Sequence, residues 1–164
     1  TPSNNCPAFG RTMLGMRTLD VLKGIDFIRS RKDLRGKEIL LVGEGSGGIW
    51  VLLAAAFDPQ VEGVVTLGTL PSYKQIITSQ YYNVWQYFWV PGVLHDFDIP
   101  DVARLVAPRT QVWIDPIDAM GNRMHPNCAS GILDVGEGLS VESTRIGNHI
   151  DRIRIIGKRL EPDN

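Results

Sequence analysis

The apolar positions of the chain change their period along its length. From Met16 to Ser30 they recur at the spacing of an amphipathic helix. Residues 38–42 form a short apolar run and residues 61–67 form another, as buried parallel strands do. Between these runs, residues 47–57 are apolar nearly all round, which predicts a helix buried on most sides, with Phe57 among its core residues.

Strand, glycine-rich turn, helix and strand together make a βαβ unit, so the sheet should be parallel and the fold class α/β. The same alternation predicts a short helix followed by a turn over 101–109, and strands at 110–115, near 139–141 and at 150–156. Residues 1–164 are interpreted as a single domain, with an irregular arm at 1–15 and a less certain C-terminal region at 121–164. The aromatic-rich segment at 73–97 is typical of a core or of a cap packed on the sheet.

The turn between the first strand and its helix reads Gly43-Glu44-Gly45-Ser46-Gly47-Gly48 and allows three interpretations. In the first, Gly43, Gly45 and Gly48 fit the G-x-G-x-x-G pattern of dinucleotide-binding turns. That pattern needs an acidic residue near the end of the next strand, and "VVTLGTL" has none. In the second, the glycines serve only close packing of helix on strand.

The third interpretation is a nucleophile elbow, a sharp strand-to-helix turn that usually reads G-x-S-x-G. With the elbow starting at Gly43, the nucleophile position falls on Gly45, which has no side chain. With Ser46 as the nucleophile, Gly48 is suitably small but Glu44 is not. Each register therefore departs from the pattern at one position.

Composition and charge exclude several other classes. The net charge is −1 and no basic stripe occurs, so nucleic acid is not an expected partner. No apolar run approaches the roughly 18 residues of a membrane span, so no membrane partner is expected. His and Cys residues do not cluster at ligand spacing, so neither a metal nor an organic cofactor is predicted. Cys6 and Cys128 leave pairing open, and the compartment, secretion included, stays open with it.

Four segments in this order resemble bacterial α/β-hydrolase esterases of the acetyl xylan esterase and cephalosporin deacetylase type, related to dienelactone-hydrolase-like enzymes. They are "DVLKGIDFIRSR", "ILLVGEGSGGIWVLLAAAFDPQVEGVV", "PGVLHDFDIPDVARLVAPR" and a strand ending in Asp. The resemblance covers roughly residues 15–120. It implies an α/β-hydrolase fold with a degenerate elbow, incomplete on its N-terminal side, since the family has about four strands before the first helix seen here.

The resemblance also implies a Ser-His-Asp mechanism acting on small acyl esters, in particular acetyl esters of carbohydrates. Ser46 would be the nucleophile, and the Gly47 N–H would help to hold the oxyanion. Asp118 would be the acid, with Asp115 as its rival, and His149 would be the base, 31 residues after Asp118.

The alternative is a catalytically inactive hydrolase-like domain that binds a ligand or assembles with a partner. Gly45 at the usual nucleophile position favours it. The chain begins at Thr1 and is compatible with a processed product or a fragment. If the first strands are absent, the apolar strand at 38–42 lies at an open edge, which predicts a homo-oligomer or a missing partner segment that covers it.

Overall fold

A computed structural model describes residues 11–84 and 90–143 of the chain. The helices are α1 (Met13–Ser30), α2 (Ser46–Phe57), α3 (Lys74–Thr78), α4 (Ile99–Val106) and α5 (Pro126–Leu133), with a 3₁₀ turn at Val93–His95. The strands are β1 (Leu40–Glu44), β2 (Gly63–Leu67), β3 (Thr110–Ile114) and β4 (Leu139–Glu142).

The four strands form one parallel sheet in the order β1-β2-β3-β4. This confirms the predicted α/β class, although β1 is shifted two residues from the predicted run at 38–42. The strand predicted at 150–156 lies outside the described residues. Because all four strands point the same way, the loops that follow them meet at one edge of the sheet, where open α/β sheets bind their ligands.

One face of the sheet carries the main core. The α2 helix packs on β1 and β2, while α1 packs against α2 and α4 lies beside it. The core includes Leu52 of α2, Val64 of β2 and Trp113 of β3, each at most 1% exposed. The all-round apolar pattern of α2 is explained by this position between the sheet and two helices.

The ends of the helices account for the differences from the predicted boundaries. The α1 helix begins three residues earlier than predicted because the Thr12 hydroxyl caps it, accepting from the Gly15 N–H at 3.0 Å. The prediction that Phe57 is buried is wrong: the ring is 71% exposed, since it lies on the last turn of α2. The α5 helix was not predicted. It starts with Pro126 after a cap by His125.

The opposite face of the sheet carries a second apolar cluster, made of Val65, Leu67, Val112 and Ile114. On β1 the same face presents Leu40 and Val42, which are 37% and 40% exposed. Among the described strands, β1 pairs with β2 alone, so it lies at an edge as the sequence analysis expects.

Two charged side chains hold the end of α2 in place. The Arg109 guanidinium donates to the carbonyl oxygens of Ala55, Asp58 and Val61 at 2.9–3.1 Å, and its Nε donates to Val106. Arg29 of α1 makes a two-pronged ion pair with Asp58, at 2.5 and 3.1 Å. Together these contacts fix the end of α2 relative to α1, to the loop before β2 and to the segment before β3.

Candidate functional site

The turn between β1 and α2 is centred on Gly45. Its backbone has φ 55° and ψ −121°, in the region that residues with a side chain rarely adopt. A Cβ placed on Gly45 would meet no atom within 4 Å, so this position opens into free space. A Cβ on Gly43 would lie 2.3 Å from the Gly47 carbonyl oxygen, which shows how closely the strand and the helix approach here.

Ser46 is the first residue of α2 and is half-buried. It stands directly after the turn residue rather than on it. Gly47 is the second helical residue, where the backbone N–H has no acceptor within the helix. The predicted nucleophile and oxyanion donor are therefore adjacent at the N-terminus of a twelve-residue helix, whose dipole favours negative charge.

Thr69, which follows β2, connects the turn to the next strand. Its hydroxyl donates to the Gly45 carbonyl oxygen at 3.0 Å, and its own carbonyl accepts from the Ile117 N–H at 3.2 Å. A Cβ on Gly48 would lie 2.0 Å from the Thr69 hydroxyl oxygen, so Gly48 is required for this contact. Thr69 was not predicted from the sequence. Its position just past the carboxyl end of a predicted central strand was the available signal.

Asp118 lies on the loop after β3, one residue beyond the link to Thr69. Its carboxylate accepts from the backbone N–H groups of Met120 and Asn122, both at 2.9 Å, and from the Asn122 side chain at 3.3 Å. These bonds close the loop on itself and fix the carboxylate at the same edge of the sheet as Ser46. The β2 strand lies between the two strands that precede them.

Asp115, the rival acid, is 2% exposed and has a positive φ of 46°. Its carboxylate lies 3.6 Å from the Arg123 guanidinium, and Ile117 and Arg123 form an antiparallel bridge. Asp115 therefore belongs to the base of the loop, and the half-buried Asp118 lies nearer its tip.

His149, the predicted base, lies outside the described residues, so the triad is not assembled within residues 11–84 and 90–143. The two histidines in those ranges have other surroundings. His125 caps α5, with its Nδ1 accepting from the Asn127 N–H at 3.3 Å, and His95 ends the 3₁₀ turn. Cys128 is an exposed free thiol, and Cys6 lies outside the described part of the chain.

An apolar groove of about 890 Å³ opens between α3 and the 3₁₀ turn. Its described lining includes Tyr73, Ile76, Ile77, Tyr82, Val93 and Leu94. Burial, and secondarily the charge of Asp98, raises the pKa of Tyr73, so its phenol stays protonated.

The described ranges contain no group of three or more His, Cys, Asp or Glu side chains that could hold a metal ion. Over those same ranges, no helix is long and apolar enough to cross a membrane.

No protein-family model matches the chain. A curated relative is "Putative hydrolase YtaP" of Bacillus subtilis (strain 168), which is 29% identical over 101 residues. The matched region makes up 61% of this chain and 34% of the relative, so the chain spans about a third of that protein's length.

Two solved structures share the architecture. One is a "putative acetyl xylan esterase" from Bacteroides fragilis NCTC 9343, with a TM-score of 0.65 and 13% identity over 87% of this chain and 39% of that chain. The other is the acylaminoacyl peptidase of Pyrococcus horikoshii, with a TM-score of 0.56 and 16% identity over 84% of this chain and 24% of that chain. Together with the parallel sheet and its flanking helices, these likenesses show that the chain has the α/β-hydrolase fold.

Proposed function

We propose that the protein hydrolyses small carboxylic esters by a serine mechanism at the turn between β1 and α2. The observation that carries the proposal is the position of Ser46 at the carboxyl edge of a parallel sheet, beside the sharp turn at Gly45. The similarity to a "Putative hydrolase" and the shared fold with a "putative acetyl xylan esterase" support it.

In this mechanism the Ser46 hydroxyl attacks the acyl carbonyl and passes its proton to His149. The imidazolium gives that proton to the leaving alcohol as the ester C–O bond breaks, and water, activated by His149, then hydrolyses the acyl-serine. The Gly47 N–H donates to the oxygen that becomes negative, helped by the dipole of α2. Asp118 orients the imidazole and stabilises its positive charge. An acetyl ester of a carbohydrate is a candidate substrate because a structure described as a "putative acetyl xylan esterase" is among the structural neighbours.

A second candidate function is ligand binding without catalysis. The backbone of Gly45 favours this function. In a nucleophile elbow, the residue in the strained turn conformation is the nucleophile, and in this turn that residue is Gly45. Gly43 and Gly47, two positions before and after it, supply the small neighbours that the elbow pattern requires. In this register the nucleophile position has no side chain, and Ser46 supplies only its backbone N–H.

Turnover of p-nitrophenyl acetate distinguishes the two functions. If Ser46 is the nucleophile, Ser46→Ala abolishes turnover, whereas Ser130→Ala, a half-buried serine on α5, leaves it unchanged. Turnover that survives in folded Ser46→Ala overturns the assignment. A wild-type chain without turnover, together with Gly45→Ser that gains it, would establish the non-catalytic function instead.

A further inference from the structure

The apolar groove between α3 and the 3₁₀ turn has the size and lining of a small-molecule site. Its volume of about 890 Å³ lies within the range of about 300–1,000 Å³ that is usual for ligand pockets. Its described lining is dominated by aliphatic and aromatic side chains and contains no Asp, Glu, Lys or Arg. Ser79, Tyr82 and His95 could offer hydrogen bonds to the hydroxyls of a sugar, whereas the aliphatic side chains that make up most of the described lining offer none.

The polar groups of the wall are themselves compatible with a neutral ligand. Tyr73 is 4% exposed, and its hydroxyl is enclosed, with no hydrogen-bond partner among the described residues. A hydroxyl enclosed in this way is not offered to a ligand in the groove, so Tyr73 contributes no hydrogen bond there. A charged ligand would instead lose its hydration against a described lining that holds the His95 imidazole but no Asp, Glu, Lys or Arg.

Backbone contacts place the groove next to the proposed site. Tyr82 lines the groove, and the next residue, Asn83, donates its N–H to the Ala119 carbonyl oxygen at 2.8 Å. Ala119 directly follows Asp118. On the other side, Tyr73 lies four residues after Thr69, whose hydroxyl holds Gly45. The groove therefore adjoins the acid loop, and Tyr73 connects it along the chain to the segment whose Thr69 contacts the turn.

We propose that this groove binds the acyl group of the ester substrate, a short apolar alkyl chain, so that the preferred substrates are esters of such acids rather than the acetylated sugars named above as a candidate. This substrate class rests on the proposed function, whereas binding of the apolar group does not require catalysis.

Binding is tested with butyranilide, a neutral amide analogue of such an ester, by following the isoleucine methyl resonances of the full chain during titration. Shifts should concentrate on Ile76 and Ile77, which line the groove. Ile77→Asp should weaken binding at least about fivefold. The matched control is Leu105→Asp, because both side chains are 71% exposed and Leu105 is not among the lining residues. If Ile77→Asp fails to fold, Leu94→Asp takes its place.

Steady-state kinetics distinguish a failure of the groove proposal from a failure of the esterase proposal. With p-nitrophenyl butyrate and acetate, wild type should prefer butyrate in kcat/KM by at least about fivefold, and Ile77→Asp should remove the preference. Butyranilide binding without any turnover supports the groove and overturns the esterase. Turnover without a preference for butyrate overturns the groove. Butyranilide shifts that are absent, or that are equally weakened by Leu105→Asp, overturn it as well.

Discussion

Replacing Gly43 by alanine should destabilise the protein through the contact that shapes the turn. The added Cβ would lie 2.3 Å from the Gly47 carbonyl oxygen, 2.5 Å from its carbonyl carbon and 2.6 Å from the Gly48 nitrogen. All three atoms belong to the backbone, so no side-chain rotation relieves the overlap. The strand and the first turn of α2 must instead move apart.

The expected cost follows from overpacking. Inserting one methyl group into a closely packed site costs about 1–3 kcal/mol, and three backbone contacts this short place the cost of Gly43→Ala at about 3 kcal/mol. Gly24→Ala is the matched control. It lies in the middle of α1, and its Cβ would meet no atom within 4 Å. Because alanine is the better helix former, this change should stabilise the protein by about 0.5–1 kcal/mol.

Guanidinium denaturation of both variants measures the difference. With a slope of about 4 kcal/mol per molar, a combined difference near 4 kcal/mol separates the two midpoints by about 1 M. Activity should fall in Gly43→Ala as well, because the turn that carries Ser46 is displaced. If Gly43→Ala loses less than about 0.5 kcal/mol, the close approach of strand and helix is incorrect, and so is the described turn.

Three further predictions concern the elements that support the turn. Leu52→Ala should lower the free energy of unfolding by about 2–5 kcal/mol, since the side chain is fully buried; a loss below about 0.5 kcal/mol would mean that α2 lies on the surface. Arg109→Met should lower it by about 2–4 kcal/mol, because four hydrogen bonds to carbonyl groups are lost; an unchanged thermal midpoint would contradict these bonds. The hydrogen bond from Arg29 lowers the pKa of the Asp58 carboxyl in the folded state below its ordinary value of 3.8. The ion pair therefore stabilises the fold above about pH 3.8, and this stabilisation is lost as the pH falls through the lower pKa of the folded state. The stability difference between wild type and Asp58→Asn should therefore shrink below about pH 4, and a difference that grows on acidification would refute this.

The alternation of apolar runs was sufficient to predict the parallel sheet. The buried strands, and the α2 helix between β1 and β2, each show the apolar pattern that burial imposes on a strand or a helix. This pattern can be recognised in the sequence alone. The exposure of Phe57 could not be predicted in this way, because hydrophobicity does not report where a helix extends past the sheet it covers. The start of α1 depended on the Thr12 cap, a polar contact outside the apolar pattern.

The register of the glycine-rich turn shows how far the candidate site could be predicted from the sequence. The sequence of the turn departs from the elbow pattern at one position whether Gly45 or Ser46 is taken as the nucleophile. The backbone dihedral angles show that the sharp turn is centred on Gly45. These angles depend on the close approach of Gly43 and Gly47, which a single sequence does not reveal. Thr69 is a further case, because its role depends on two contacts across the edge of the sheet, one with the turn and one with the acid loop.

Covalent labelling with a fluorophosphonate tests the central claim most directly, because the reagent modifies an activated serine and leaves an adduct that peptide mass spectrometry can locate. The esterase proposal predicts a single adduct on Ser46 that is absent from Ser46→Ala and unaffected by Ser130→Ala. Wild type that remains unlabelled, together with Gly45→Ser that is labelled at residue 45, would contradict it and show that the nucleophile position of this turn is the glycine.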